Sequence, residues 1–176
     1  LRLVQLRIKD RPETQVRTQI RHAKELCAKA GATLVINDYW QMAIEEACDF
    51  IHLGQEDLEQ ADLEQIRSAG LRLGISTHGY AEMVIADRFC PSYIAMGAVF
   101  PTNLKQMPTV PQGLGRLYQY TKIMSHYPLV AIGGIDQESI HAVAKSGVGS
   151  IAVVRAITQA NDPKAAVKHL QELMRA

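Results

Sequence analysis

Alternation is what most limits the folds open to this chain. Short apolar runs rich in β-forming residues recur along it, each followed by a longer stretch of helical periodicity, and that order argues for βα units around a parallel sheet. Seven runs read as strands: Leu1 to Ile8, Ala32 to Ile36, Phe50 to Leu53, Leu71 to Ile75, Ser92 to Met96, Leu129 to Ile132 and Ser150 to Val154. Helices are expected from Pro12 to Lys29, after Asp38 through Ala47, and then over Ala61 to Ala69, Gly79 to Arg88, Gly113 to His126, Gln137 to Ser146 and Pro163 to Met174. In the first of these Pro12 suits the opening helical position, Ile20, Ala23, Leu26 and Cys27 share a face, and Gly31 stops the helix. Gly70 and Gly147 are placed to close two others.

The regular spacing and the lack of a low-complexity linker predict a single domain over residues 1–176. A full (β/α)8 TIM barrel of roughly 250 residues uses about 30 per unit, so units of this size predict an α/β barrel whose first strand and helix are missing from the chain. A doubly wound open sheet competes, but it concentrates its ligand groups at one switch point. Here polar residues end nearly every strand. Phe100 to Gly113, with Pro101, Pro108 and Pro111, is long for a barrel connection and reads as a binding loop.

Composition narrows the partners. With 47% hydrophobic residues the chain can bury a sizeable core, and a formal net charge of +1 gives no field to draw in nucleic acid or a membrane surface. Any affinity for anions must be local. Cys27, Cys48 and Cys90 form neither a C-x-x-C pair nor a zinc spacing, so they read as reduced core thiols of a cytoplasmic protein. No run is apolar enough for a membrane span. The chain opens on Leu1 inside what reads as a buried strand, which suggests a piece of something longer.

Barrel enzymes place their chemistry at the C-terminal ends of the strands. At the first such end Gln5, Arg7 and Lys9 repeat with period two, so they share one side of a strand. The second ends at Asn37 and Asp38, and the third runs through Gly54 to Asp57. Carboxylates on neighbouring strand ends can share Mg²⁺, which takes one or two carboxylates plus substrate phosphates. Asp38 and Asp57 also suit helix N-caps, as do Ser76 and Thr77 after the fourth strand. His78 beside them is a candidate base or a structural histidine. The loop after the fifth strand offers Thr102, Asn103, Leu104 and Lys105. Gly133-Gly134 and Val154-Arg155 follow the last two strands, where glycine permits close backbone approach and N–H groups at a helix start bind phosphate. Together these ends suit a metal-bound diphosphate on one side and a monophosphate on the other.

At these residues the sequence resembles the thiamine-phosphate synthase family over nearly its whole length. The matching blocks are Q-L-R-I-K from Gln5, I-N-D-Y-W from Ile36, H-L-G-Q-E-D-L from His52, G-I-S-T-H from Gly74, F-P-T-x-x-K from Phe100, A-I-G-G-I from Ala131 and G-S-I-A-V-V from Gly149. The resemblance implies a transferase that condenses 4-amino-2-methyl-5-pyrimidinylmethyl diphosphate with thiazole phosphate, releasing pyrophosphate. It also implies roles: Gln5 on the pyrimidine; Arg7, Lys9, Asn37, Ser76 and Lys105 on the diphosphate; Asp38 and Asp57 on Mg²⁺; Thr102, Gly134 and the Val154-Arg155 backbone on the thiazole phosphate. Asn103 and Leu104 complete the implied substrate loop. Arg7, Lys9, Ser76 and Lys105 would be the catalytic set, and the partners would be these small molecules, with a homo-oligomer left open.

The chain departs from that family in three places. Leu104 stands where T-x-T-K has its second Thr, and Arg155 stands where a Ser is common. Arg155 either pairs with the phosphate or points outward while its backbone still binds. The third departure is the missing first unit, which predicts exposed strand edges and poor activity for the segment alone. A thiazole tautomerase, or a phosphate-binding protein without turnover, are the competing functions.

Overall fold

The computed structural model describes residues 2–102 and 109–175. Along them run β1 (Leu3–Leu6), α1 (Glu13–Ala30), β2 (Thr33–Asn37), α2 (Trp40–Glu45), β3 (Phe50–Leu53), α3 (Gln55–Gln60), α4 (Leu63–Ser68) and β4 (Arg72–Thr77). There follow α5 (Tyr80–Asp87), β5 (Tyr93–Met96), α6 (Gly113–Ile123), β6 (Leu129–Ile132), α7 (Ile140–Ala144), β7 (Ser150–Ala152), α8 (Arg155–Thr158) and α9 (Pro163–Leu173). The backbone forms two compact units, residues 1–75 and 76–176.

In the first unit β1 to β4 pair in parallel and in chain order, with Leu6 opposite Ile36, Asn37 opposite His52, and Leu53 opposite Ile75. Its core is the apolar run of β2 and β3 against one stripe of α1. Val16, Ile20 and Cys27 lie on that stripe and are buried. Leu26, expected on the same face, is 53% exposed; at 100° per residue it falls well off the stripe that Val16 and Ile20 define. Gly31 ends α1 in the left-handed region at φ 62°, where Ala32 N–H reaches back to the Cys27 carbonyl over 2.9 Å. On the other side of α1, Arg17 and Arg21 grip Glu45 and Glu46 at the end of α2 at 2.6 to 3.1 Å. That ion network holds α2, and with it the turn at Asp38, against α1.

The second unit contains the last two residues of β4. Thr77 is buried there, its hydroxyl donating to the Ala95 carbonyl over 3.0 Å and its own carbonyl accepting from Gly97 N–H over 3.1 Å. Strands β5, β6 and β7 pair in parallel, with Ile94 opposite Leu129 and Val130 opposite Ser150. Ile94, Met96, Leu117, Ala131 and Val143 form the buried interior of this unit.

Several local expectations are corrected. Strand β1 stops at Leu6, two residues before the expected end at Ile8, and Asp10 then turns the chain at φ 56°. Pro12 sits at the cap position, one residue before the helix. Gln55 to Asp57, expected to trail a strand, are the opening turn of α3. Strand β7 stops at Ala152, and Val154 becomes the cap of the unexpected four-residue helix α8. Cys27 and Cys48 are buried thiols, but Cys90 is exposed on a left-handed turn after α5 and is not a core residue. Among the described residues no helix is long and apolar enough to cross a membrane.

Candidate active site

The first unit brings Lys9, Asp38 and Asp57 together. Register puts Asn37, buried, directly opposite His52, and the next residue hangs from the same point, Asp38 N–H donating to the His52 carbonyl over 3.0 Å. Asp38 takes a left-handed φ of 68°, which Asp tolerates better than most residues. Its half-buried carboxylate pairs with the Lys9 ammonium. Neither Asp38 nor Asp57 is a cap. Tyr39 occupies the cap position of α2, and Gly54 that of α3.

Asp57 lies one turn into α3 and folds back over the helix start, so that a Cβ on Gly54 would stand 3.1 Å from its Oδ2. Its carboxyl group meets that of Asp38. Burial first, then the Asp38 charge and the shared hydrogen bond, push the Asp57 pKa up, while Lys9 and a hydrogen bond from the Gly54 backbone oppose the rise. His52, buried on β3, is pushed down to about 4 by burial, with only Asp57 pulling the other way, so at neutral pH it is an uncharged imidazole. In the sequence His52 stands out only as the first residue of the H-L-G-Q-E-D-L block, with no role assigned to it.

This pair of half-buried carboxylates fits a hard divalent cation in its chemistry: two carboxyl groups already in contact, whose mutual repulsion a cation relieves. Among the described residues no cluster of three or more acidic, histidine or cysteine ligands forms a metal cage. Gln5 and Arg7 are exposed, on the same alternation of exposure that continues through Lys9.

The second unit offers backbone in place of charge. Val99 N–H donates to the Ile132 carbonyl over 2.9 Å and Phe100 N–H to the Gly133 carbonyl over 3.0 Å, lacing the start of the long loop to the end of β6. Gly133 and Gly134 take φ of 90° and 69°. A Cβ at Gly133 would lie 2.5 Å from that of Ala98, and one at Gly134 would lie 2.6 Å from the Pro101 carbonyl oxygen. The pair is therefore more than a turn: it is pressed against the backbone that leads into half-buried Thr102. Ser76 is half-buried on β4. Thr77, read as a possible cap, is a strand residue, and α5 is capped at Gly79. His78 is buried, its Nδ1 2.9 Å from Glu82 Oε2, which also accepts from the His78 backbone N–H over 2.7 Å. Val154 heads α8, and Arg155 lines a cavity of about 290 Å³ with Asp136, Glu138 and His169. Asn103, Leu104 and Lys105 lie outside the described residues.

The sequence matches the family described as thiamine monophosphate synthase over residues 1–157. The chain belongs to the thiamine monophosphate synthase family. Its relatives include the thiamine-phosphate synthase of Rhizobium etli, 54% identical over 165 residues, which are 94% of this chain and 81% of that protein. The synthase of Cronobacter sakazakii is 54% identical over 98% of this chain and 82% of its own length. Among solved structures, the thiamine phosphate pyrophosphorylase of Pyrococcus furiosus superposes with a TM-score of 0.87 at 27% identity, covering 98% of this chain and 82% of that one. The fold class is the (β/α)8 barrel of that family, and the described residues supply seven parallel strands, which fits a barrel short of its first unit.

Proposed function

We propose that this family member joins 4-amino-2-methyl-5-pyrimidinylmethyl diphosphate to thiazole phosphate, giving thiamine phosphate and pyrophosphate in thiamine biosynthesis. Family membership supports the reaction. The observation that carries the site is the Asp38–Asp57 carboxyl pair with Lys9 beside it.

The chemistry asks little of a protein nucleophile. The C–O bond of the pyrimidinylmethyl diphosphate breaks with its electron pair leaving on the diphosphate, and the thiazole nitrogen then bonds to the methylene carbon. What must be stabilised is the charge on the departing group. Mg²⁺ held by Asp38 and Asp57 would supply Lewis-acid neutralisation of that group. Lys9, Arg7 and Lys105 add positive charge, Ser76 and Asn37 add hydrogen bonds, and Gln5 orients the pyrimidine. On the second substrate, Thr102, Asn103 and Leu104 would contact the thiazole phosphate while the Gly134 and Val154-Arg155 backbone receives its phosphate. Binding of both substrates by one protein supplies the rest by proximity. Action in the cytoplasm belongs to the same reading.

The test is pyrophosphate release by the purified protein, measured with both substrates, with each alone, and with Mg²⁺ withdrawn by chelation. Release is expected only with both substrates and the metal. No thiamine phosphate under any of these conditions would refute the reading, and full activity without a divalent cation would remove the metal from it.

A further inference from the structure

We infer that Gln112 is a positioning residue for the thiazole-phosphate subsite, acting through the backbone of residues 98–102; the inference rests on the function proposed above. Gln112 is a buried polar side chain at the far foot of the long loop, and the bonds it makes exceed what a loop closure needs. Its backbone N–H donates to the Ala98 carbonyl over 2.8 Å, and the following Gly113 N–H donates to the Val99 carbonyl over 2.9 Å. Residues 98–100 are thus held along both edges. One edge is bonded to residues 112 and 113, the other to the Ile132 and Gly133 carbonyls.

That second edge is the glycine cradle. Ala98 is the atom group Gly133 presses on, and the Phe100 and Pro101 carbonyls are what Gly134 presses on. The position of Gly134 relative to Thr102 is consequently tied to the 98–101 backbone. Gln112 holds the other edge of that backbone. Its Oε1 accepts from the Tyr120 hydroxyl over 3.1 Å and from Arg116 over 3.3 Å, both on α6, and its Nε2 donates to the Val110 carbonyl over 3.1 Å. A side chain tied in this way to a helix transmits the rigidity of that helix to the loop edge. A buried amide used only for packing could be replaced by an apolar side chain of similar size at little cost to ligand affinity; one used for placement cannot.

The experiment compares wild type, Gln112→Met, Gln112→Glu and Tyr120→Phe by calorimetric titration with thiazole phosphate and, separately, with the pyrimidine diphosphate, after circular dichroism confirms folding. For Gln112→Met, thiazole phosphate affinity is expected to weaken about fivefold to tenfold, the range a lost buried hydrogen bond produces, with pyrimidine diphosphate affinity unchanged within about twofold. Gln112→Glu keeps the acceptor for Tyr120 and Arg116 but gives up the donor to the Val110 carbonyl, and is expected to recover part of the loss. Tyr120→Phe removes one of those donors and should fall between. Equal weakening toward both ligands, or failure of the Glu variant to recover affinity, overturns the inference. Should Gln112→Met not fold, Tyr120→Phe decides by the same split. Wild type that binds thiazole phosphate but forms no product refutes the proposed reaction alone, and wild type that does not bind it refutes both.

Discussion

The two units build their candidate binding groups from different materials. In residues 1–75 the groups are charges on side chains: Lys9 against Asp38, Asp38 against Asp57, and a neutral His52 beneath them. In residues 76–176 they are backbone groups held by shape, where Gly133 and Gly134 stand too close to residues 98–101 for any side chain. The difference teaches what each region tolerates. A charge can be neutralised without moving an atom, so the first site should lose chemistry while keeping its fold. A close backbone contact admits no substitution, so the second should lose fold and chemistry together.

Gly134→Ala is the harshest way to probe that contrast. The new methyl group would meet the Phe100 and Pro101 carbonyl oxygens at 2.7 and 2.6 Å, on a backbone already at φ 69°. Strain of the left-handed region and overpacking against backbone together cost about 2–4 kcal/mol. Urea unfolding should show that loss, with thiazole phosphate binding abolished in whatever remains folded. Wild-type stability in this variant would mean that the glycine pair is merely a turn.

Asp38→Asn and Asp57→Asn probe the other side. Pyrophosphate release should fall on the order of 100-fold or more, as expected when a group that neutralises developing charge is removed. The unfolding midpoint of Asp57→Asn should hold or rise slightly, since it relieves a like-charge contact between half-buried carboxylates, while that of Asp38→Asn should stay close to wild type because it also gives up the Lys9 pair. A collapse of stability with activity retained would reverse the comparison.

How far these differences could be read in advance depends on what makes them. The strands Phe50–Leu53 and Leu129–Ile132 match their sequence reading residue for residue, because an apolar run bounded by turn residues leaves little choice. Helix α3 was hidden: Gly54 to Asp57 looks like a polar strand end, and only the fold of Asp57 back over Gly54 reveals a helix start. Asp38 and Asp57 were equally good caps until register placed them in contact. Gly133-Gly134 was legible as glycine but not as a steric necessity, because that depends on residues 98–101, more than thirty positions away. Gln112 carried no local signal, and His52 only its place in the H-L-G-Q-E-D-L block, their roles being set by long-range partners.

Arg155 offers a smaller effect. It lines a cavity together with Asp136 and Glu138, so both alternatives, pairing with the phosphate or pointing outward, can be put to one test. If only the Val154-Arg155 backbone binds, Arg155→Ser should leave thiazole phosphate affinity unchanged within about twofold, the margin expected for a surface substitution. A larger loss by calorimetric titration would restore the guanidinium to the subsite and put a side-chain charge into the unit read here as backbone-built.

The smallest effect concerns stability, and it asks whether the contrast reaches beyond the ligand sites. Hydrogen bonds from Arg21 and then Arg17 hold the Glu46 carboxyl down to about 2, below its ordinary 4.5. A value lowered by folding means stability fully present above about pH 4.5 and lost as pH falls toward 2. The urea midpoint of wild type should therefore exceed that of Glu46→Gln at pH 6, with the gap closing through that window. In the second unit Asp136 is also held below its ordinary value, by the Ser139 hydroxyl first and then by the Ser139 and Glu138 amides, which are dipoles and not charges. At 1 M salt, where screening acts within about 3 Å, the Glu46 gap should shrink and the corresponding Asp136→Asn gap should persist. Equal salt sensitivity at the two positions would show that the division between a charged unit and a dipolar one stops at the ligand sites.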